Sequence, residues 1–323
     1  MPRSGPAGEP ETYELITLGR VGVDLYPLQS GVPLARVSSF ARSLGGSPTN
    51  VAVAGARLGH RTAVVTRVGA DGFGTYVLEA LAEFGVDTRW VGIDPDLRTP
   101  IVFCELFPPD RFPLLFYRQP KAPDMNISLD ELDLEAIAKA RIVWTTGTGL
   151  SDEPSRAATL GSLEVRPAGA TTVHDLDYRA EFWPSPKAAA EYNSRALEMA
   201  TVVVGNPEEV EVVAGPGSPE EQAARLLEAG PILAVLKLGR EGVLVATPDA
   251  SERIPGLDVP VVCGLGAGDA FGGAFCHGML SGWDPFRCAR FANAAGAIVA
   301  SRLACADAMP TVDEVEALLA RQT

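Results

Sequence analysis

The chain has 323 residues, enough to bury one large α/β core, and 46% of them are hydrophobic, as in a globular protein. Its 27 basic and 41 acidic residues leave a formal charge of −14, which argues against a nucleic-acid partner or an anionic membrane surface. Five cysteines without a CxxC pair read as reduced thiols in a cytoplasmic protein, and no run is apolar and long enough to span a membrane.

Residues 1–12, rich in Pro, Gly and Glu, read as a flexible tail and not as a signal peptide. A strand at 13–18 ends at Gly19-Arg20-Val21-Gly22-Val23-Asp24. An acid just past a strand's carboxyl end lies where ligands bind in open α/β sheets, or else it closes a turn. Gly45-Gly46-Ser47-Pro48 leads into a helix over 52–58, and the paired glycines imply a close approach to the backbone or an ordinary cap. A strand at 61–68, a helix at 71–84 and a strand at 86–91 follow. Two β-rich runs, 99–106 and 112–118, flank a Pro-Pro-Asp-Arg turn and predict a hairpin. Arg118 at its end points into a cleft or lies on the surface.

Next come a helix at 132–140, a strand at 141–145, a helix at 153–163 and a strand at 171–174 running into Asp175-Leu176-Asp177-Tyr178-Arg179. Two acids and an arginine at a strand's end can hold a ligand that presents hydroxyls and an anion, or Asp177 and Arg179 simply pair. After a strand at 201–204, Asn206-Pro207-Glu208-Glu209 is, as a bare pattern, a helix start. Strands at 232–238 and 243–246 form a hairpin around Gly239 to Gly242.

Gly264, Gly266 and Gly268 then precede an apolar run at 270–280, which reads as a loop entering a helix. Such a helix start has unpaired amides and a positive dipole end, and so attracts anions. Asp269 in its first turn is either a capping acid or a base that takes the proton from an attacking hydroxyl. Gly272 and Gly273, each costing a helix about 1 kcal/mol relative to Ala, imply a close approach there. Helices at 285–301 and 311–321 close the chain. No Gly-x-Gly-x-x-Gly follows the first strand, there is no P-loop Gly-Lys-Ser/Thr and no Gly-x-Ser-x-Gly, and His60, His174 and His277 have no zinc spacing. What remains is phosphoryl transfer without a P-loop.

Gly266-Ala267-Gly268-Asp269 with its flanks resembles the second signature of the ribokinase (PfkB-type) sugar kinases, and residues 44–51 resemble the first. Weaker likenesses at 68–74, 206–209 and 237–242 follow the family's order, so the resemblance spans 19–301. It implies a ribokinase-like three-layer α/β sandwich over 13–323 with a central, mostly parallel sheet. A small β-sheet lid, from about 21–40 and 98–118, would cover the sugar. Asp269 would be the base, and the amides of Gly266, Ala267 and Gly268 the anion hole. Asp24, Gly45, Gly46 and Asn50 would contact the sugar, with Asp177, Arg179 and Arg118 at its acid end. ATP would lie against Lys237, Gly239, Gly242 and Asn293. Asn206 and Glu209 would act on Mg²⁺ through water, and Asp71 would only cap a helix. Lid sheets in the family often pair across a homodimer.

Cys263 and Gly264 depart from the pattern, standing where the family generally has Asp and Thr. Segments 19–26, 112–118 and 174–179 are most similar to the branch that phosphorylates the terminal hydroxyl of a keto-deoxy sugar acid. A non-catalytic sugar- or nucleotide-binding protein on the same fold is the alternative from another class.

Overall fold

A computed structural model describes residues 12–321, so the expected tail lies outside the described residues except for its last position. The first half of the chain runs β1 (Leu15–Leu18), β2 (Gly22–Pro27), β3 (Phe40–Gly45), α1 (Ser47–Arg57), β4 (Thr62–Gly69), α2 (Gly72–Glu83), β5 (Val91–Asp94), β6 (Ile101–Cys104), β7 (Leu114–Tyr117), α3 (Leu134–Lys139), β8 (Ile142–Thr146) and α4 (Ser155–Glu164). The second half continues with β9 (Thr171–Asp175), α5 (Pro186–Leu197), β10 (Val202–Gly205), α6 (Pro207–Ala214), α7 (Pro219–Glu228), β11 (Leu233–Lys237), β12 (Val243–Ala246), β13 (Ser251–Ile254), α8 (Ala267–Leu280), α9 (Pro285–Ala300) and α10 (Val312–Leu319).

The expected strand at 86–91 is a turn instead, because the Asp87 carboxylate accepts the Arg89 backbone N–H at 3.0 Å. Pairing with β4 resumes only at β5. Asp71 caps α2, accepting from the amides of Phe73 and Gly74, as the sequence predicts.

The described strands form a nine-stranded sheet in the order β13-β12-β11-β10-β9-β8-β1-β4-β5 and a four-stranded sheet in the order β3-β2-β6-β7. The large sheet is parallel apart from the β11–β12–β13 meander. Alternation along each strand makes three layers. Leu15, Val173, Val204 and Val235 face a core closed by Phe271, Phe275 and Phe291 of α8 and α9. Ile16 and Val143 face the opposite side with Ile137 and Ala158 of α3 and α4, as do Val203 and Leu236 with Val210 and Leu226 of α6 and α7.

The close approach at Gly272 and Gly273 is core packing and not a ligand's. A Cβ on Gly272 would lie 2.6 Å from the Trp144 ring, and one on Gly273 2.4 Å from Ala54 of α1. These two glycines seat α8 against the sheet and α1, which fixes where its N-terminus emerges.

Candidate active site

The carboxyl ends of β1, β8, β9, β10 and β11 converge on the N-terminus of α8, the region where open α/β sheets bind ligands. Gly266 caps this helix in the left-handed region (φ 80°), and no side chain claims its first amides. A Cβ on Gly266 would lie 2.7 Å from Cys305 Sγ, so both conformation and space demand glycine.

Asp269 is half-buried two residues into α8. Ser47 Oγ donates to its Oδ1 and Asn50 Nδ2 to its Oδ2, both at 2.8 Å. Burial pushes its pKa up from 3.8 to about 6, against those two hydrogen bonds. Asp269 therefore does not cap its helix. Its carboxylate is held from α1, with the basicity of a proton acceptor.

Asp24 on β2 is buried, and burial together with the charge of Asp269 raises it to about 6 although Arg20 lowers it. Gly45, two residues along β3 from the register partner of Asp24, lies against its carboxylate. A Cβ there would come within 2.2 Å of Asp24 Oδ1, and one on Gly46 (φ 105°) within 2.4 Å of the Arg20 carbonyl. The paired glycines thus let the small sheet and the first βα loop close on one another. Asn50 has given its amide nitrogen to Asp269, while its Oδ1 is buried without a partner and free to accept from a ligand hydroxyl.

Cys263 lies in an apolar cluster with Tyr26, Cys104, Leu106 and Cys305, and Tyr26 Oη stands 2.8 Å from Cys305 Sγ. Burial raises the Cys263 thiol. Where the resemblance leads one to expect a carboxylate, this chain has a neutral contact between the small sheet and the α8 loop.

The acids and cations beyond β9 interlock. Asp177, buried and held at φ 29°, accepts Thr148 Oγ1 at 2.8 Å and pairs with Arg179 at 3.0 Å and Arg20 at 3.7 Å. Burial pushes its pKa up, but Arg179 and Arg20 outweigh that and hold it below the usual range. Arg179 also reaches Glu209 at 3.4 Å. Lys237, at the end of β11, pairs with Asp175 at 3.4 Å. Burial disfavours its charge, yet Asp175, Glu209, Asp269 and Asp177 together hold it above the ordinary lysine value. A Cβ on Gly268 would meet its Nζ at 3.5 Å, so the ammonium stands beside the first turn of α8.

Asn206 and Glu209 form a reciprocal capping box on α6, which is the plain helix start the pattern allowed. Glu209 is nevertheless buried against the cations, and burial followed by the charge of Asp175 raises it to about 7. No group of three or more His, Cys, Asp or Glu among the described residues is placed to cage a metal. These carboxylates suit a hydrated cation that arrives with phosphates.

Arg118 is not a surface arginine. It is 9% exposed and donates to both oxygens of Asp124, at 3.2 and 2.5 Å, so its fork is spent on bracing the small sheet. Asn293 donates to the Pro255 carbonyl at 2.7 Å, and Gly239 and Gly242 (φ 60° and 97°) shape the β11–β12 turn. Arg240 in that turn pairs with Asp110 at the tip of the β6–β7 hairpin, 3.0 Å away. Sequence reasoning did not name Arg20 as a site residue, and it reached Asp175 only as one of the two acids at the end of its strand. The signals for Arg20 were its place just after the first strand and within segment 19–26 of the resemblance.

The pattern of the pfkB family carbohydrate kinases matches residues 13–312. The chain is 34% identical to a 5-dehydro-2-deoxygluconokinase of Shouchella clausii over 319 residues, covering 97% of this chain and 98% of that one. It is 33% identical to a protein of the same name from Clostridium beijerinckii, covering 94% and 91%. Among solved structures, the fructokinase of Xylella fastidiosa with bound ATP matches with a TM-score of 0.83 at 27% identity, covering 96% of this chain and 99% of that one. An E. coli structure described as a ribokinase II reaches a TM-score of 0.88 at 23% identity, covering 96% and 99%, a likeness of fold. With the ribokinase-like fold and a family match running almost end to end, the chain belongs to the PfkB family of carbohydrate kinases.

Proposed function

We propose that this kinase phosphorylates the terminal hydroxyl of 5-dehydro-2-deoxygluconate, with ATP as donor, in the catabolism of inositol. The observation that carries phosphoryl transfer is the half-buried Asp269 beside the uncapped start of α8, raised to about 6 and oriented by Ser47 and Asn50. It takes the proton of the attacking hydroxyl, while the amides of Gly266, Ala267 and Gly268 meet the charge that develops on the transferred group. Asp24 and Asn50 grip sugar hydroxyls, with Gly45 and Gly46 leaving them room. The acid end of the substrate lies toward Asp177, on which the guanidinium groups of Arg20 and Arg179 converge, Arg179 being the one of the two that the resemblance names.

ATP as donor is supported by the ATP-bound fructokinase relative. Lys237 and the turn at Gly239 and Gly242 receive its phosphates, and Asn293 stands on the adenine side. Glu209, and Asn206 beside it, would hold Mg²⁺ through water, and that ion would draw charge from the phosphates. Five free, buried cysteines suit a cytoplasmic setting, and no helix among the described residues is long and apolar enough to cross a membrane.

The test is ADP release on a panel holding 5-dehydro-2-deoxygluconate, 2-keto-3-deoxygluconate and fructose. Turnover should be fastest on the first. Equal or better turnover on the second moves the assignment to that acid, and preference for fructose removes the sugar-acid reading.

The small sheet also supports a lid that pairs with a second copy of the chain. Its inner residues Asp24 and Tyr26 are buried, whereas Leu115 and Tyr117 on β7 are 46% and 60% exposed. Phe103 packs edge-on against both Tyr117 and Phe40, and this apolar cluster gains by burial against a partner. Tyr117→Asp should shift a dimer to monomer in sedimentation velocity. A wild type that sediments as a monomer at micromolar concentration ends the proposal.

A further inference from the structure

We propose that Arg20, which the family resemblance does not name, is the residue that recognises the carboxylate of the sugar acid, and that Arg179 serves the phosphoryl side. The inference rests on the sugar-acid reading above and identifies the group that enforces it. Three arginines surround Asp177 and the lid strand β7, and they differ in what they have left to give. Arg118 has both arms on Asp124. Arg179 donates to the Tyr178 carbonyl at 2.8 Å and to Glu209 at 3.4 Å, and pairs with Asp177 at 3.0 Å. Arg20, by contrast, has an ion pair to Asp177 at 3.7 Å, beyond hydrogen-bond range, and its side chain is only 10% exposed. Its Nε is buried without a partner.

A guanidinium carries five N–H donors, and leaving them unmet in a buried setting is costly. Such a group is one that a ligand completes. The surroundings say which ligand. Asp177 holds one negative charge between two guanidinium ions, and Arg179 balances its own charge against Glu209 as well. Among the described residues Arg20 has no second ion pair of its own, and its remaining electrostatic influence falls on Asp24, whose pKa it lowers against burial. Its guanidinium also lies over the ring of Phe116 of the lid strand, 5.7 Å from the centroid, a cation–π contact that favours this position. A planar, oriented fork with spare donors, close to the Asp24 that grips the sugar hydroxyls, fits a carboxylate held by two parallel hydrogen bonds. Arg179, besides its pair with Asp177, also reaches Glu209, in the cluster that holds Lys237 and Asp175.

Steady-state kinetics on 5-dehydro-2-deoxygluconate and on fructose, which lacks the carboxylate, tests this. In Arg20→Met, KM for the acid should rise about 10- to 100-fold with kcat little changed and kcat/KM for fructose preserved, the scale of one lost charge-assisted contact. Arg179→Met should lower kcat on both substrates. Arg20→Lys keeps the charge over Phe116 without the fork and should give an intermediate KM, which also provides the readout if the Met variant does not fold. An unchanged KM for the acid in either Arg20 variant overturns the proposal, as does an equal loss on fructose. So does an acid-selective loss in Arg179→Met alone. A wild type with no preference for the acid fails differently, by removing the sugar-acid reading together with this one.

Discussion

Asp269→Asn should lose about 10²- to 10⁴-fold in kcat, the span that a positioned proton acceptor supplies, while ATP and sugar still bind. The same substitution should make the protein more stable near pH 7. Asp269 has its pKa raised from 3.8 to about 6, so the folded state binds its proton more tightly than the unfolded state does. The sign follows from linkage: its contribution to stability is fully present below about pH 4 and is lost as the pH rises through about 6. At neutral pH the folded protein therefore carries an ionised carboxylate it would rather have neutral, and an amide removes that penalty. Asn50 can turn its unpartnered Oδ1 toward the new amide and keep the contact. Melting curves should show a gain in Tm of about 2 °C at pH 7, fading toward pH 4. In the wild type, kcat/KM should climb with pH to about 6 and then level, because the base must be ionised. Near-normal turnover in the variant would refute the assignment. Lost turnover with lost stability would point to damage and not to chemistry.

The same residues show how far local sequence carries. Gly266 and Asp269 were legible because a glycine cap and an acid in a first helical turn are local choices. The βα alternation could be read for the same reason, since each strand alternates between two buried faces. The partners were not legible. Ser47 and Asn50 reach Asp269 across more than 200 positions of sequence. Arg20 finds Asp177 only because β1 and β9 flank β8 in the large sheet. Local pattern also left the cause of a true signal unnamed, for the tight approach at Gly272 and Gly273 is made by Trp144 and Ala54. A glycine reports that something is near but not what it is. Asn206 and Glu209 carry the converse lesson. Their capping box is a complete local explanation, and yet Glu209 is buried against Arg179 and raised to about 7, an environment that capping does not require.

Lys237→Met should cost about 10²- to 10³-fold in kcat/KM for ATP, the scale of one charged donor withdrawn from a developing phosphoryl anion. It should also lower Tm by several degrees. Lys237 and Asp175 are 18% and 3% exposed, and removing one member of a buried pair strands the other's charge. A single variant cannot separate these two losses, because a loosened β11 would weaken ATP binding as well. The double variant Lys237→Met, Asp175→Asn separates them. Neutralising Asp175 removes the stranded charge, so most of the Tm should return. Activity should stay low, since the ammonium beside Gly268 is still missing where the phosphoryl group passes. If turnover returns along with stability, Lys237 only braces the ends of β9 and β11. The amides of the α8 first turn would then have to neutralise the migrating group without it.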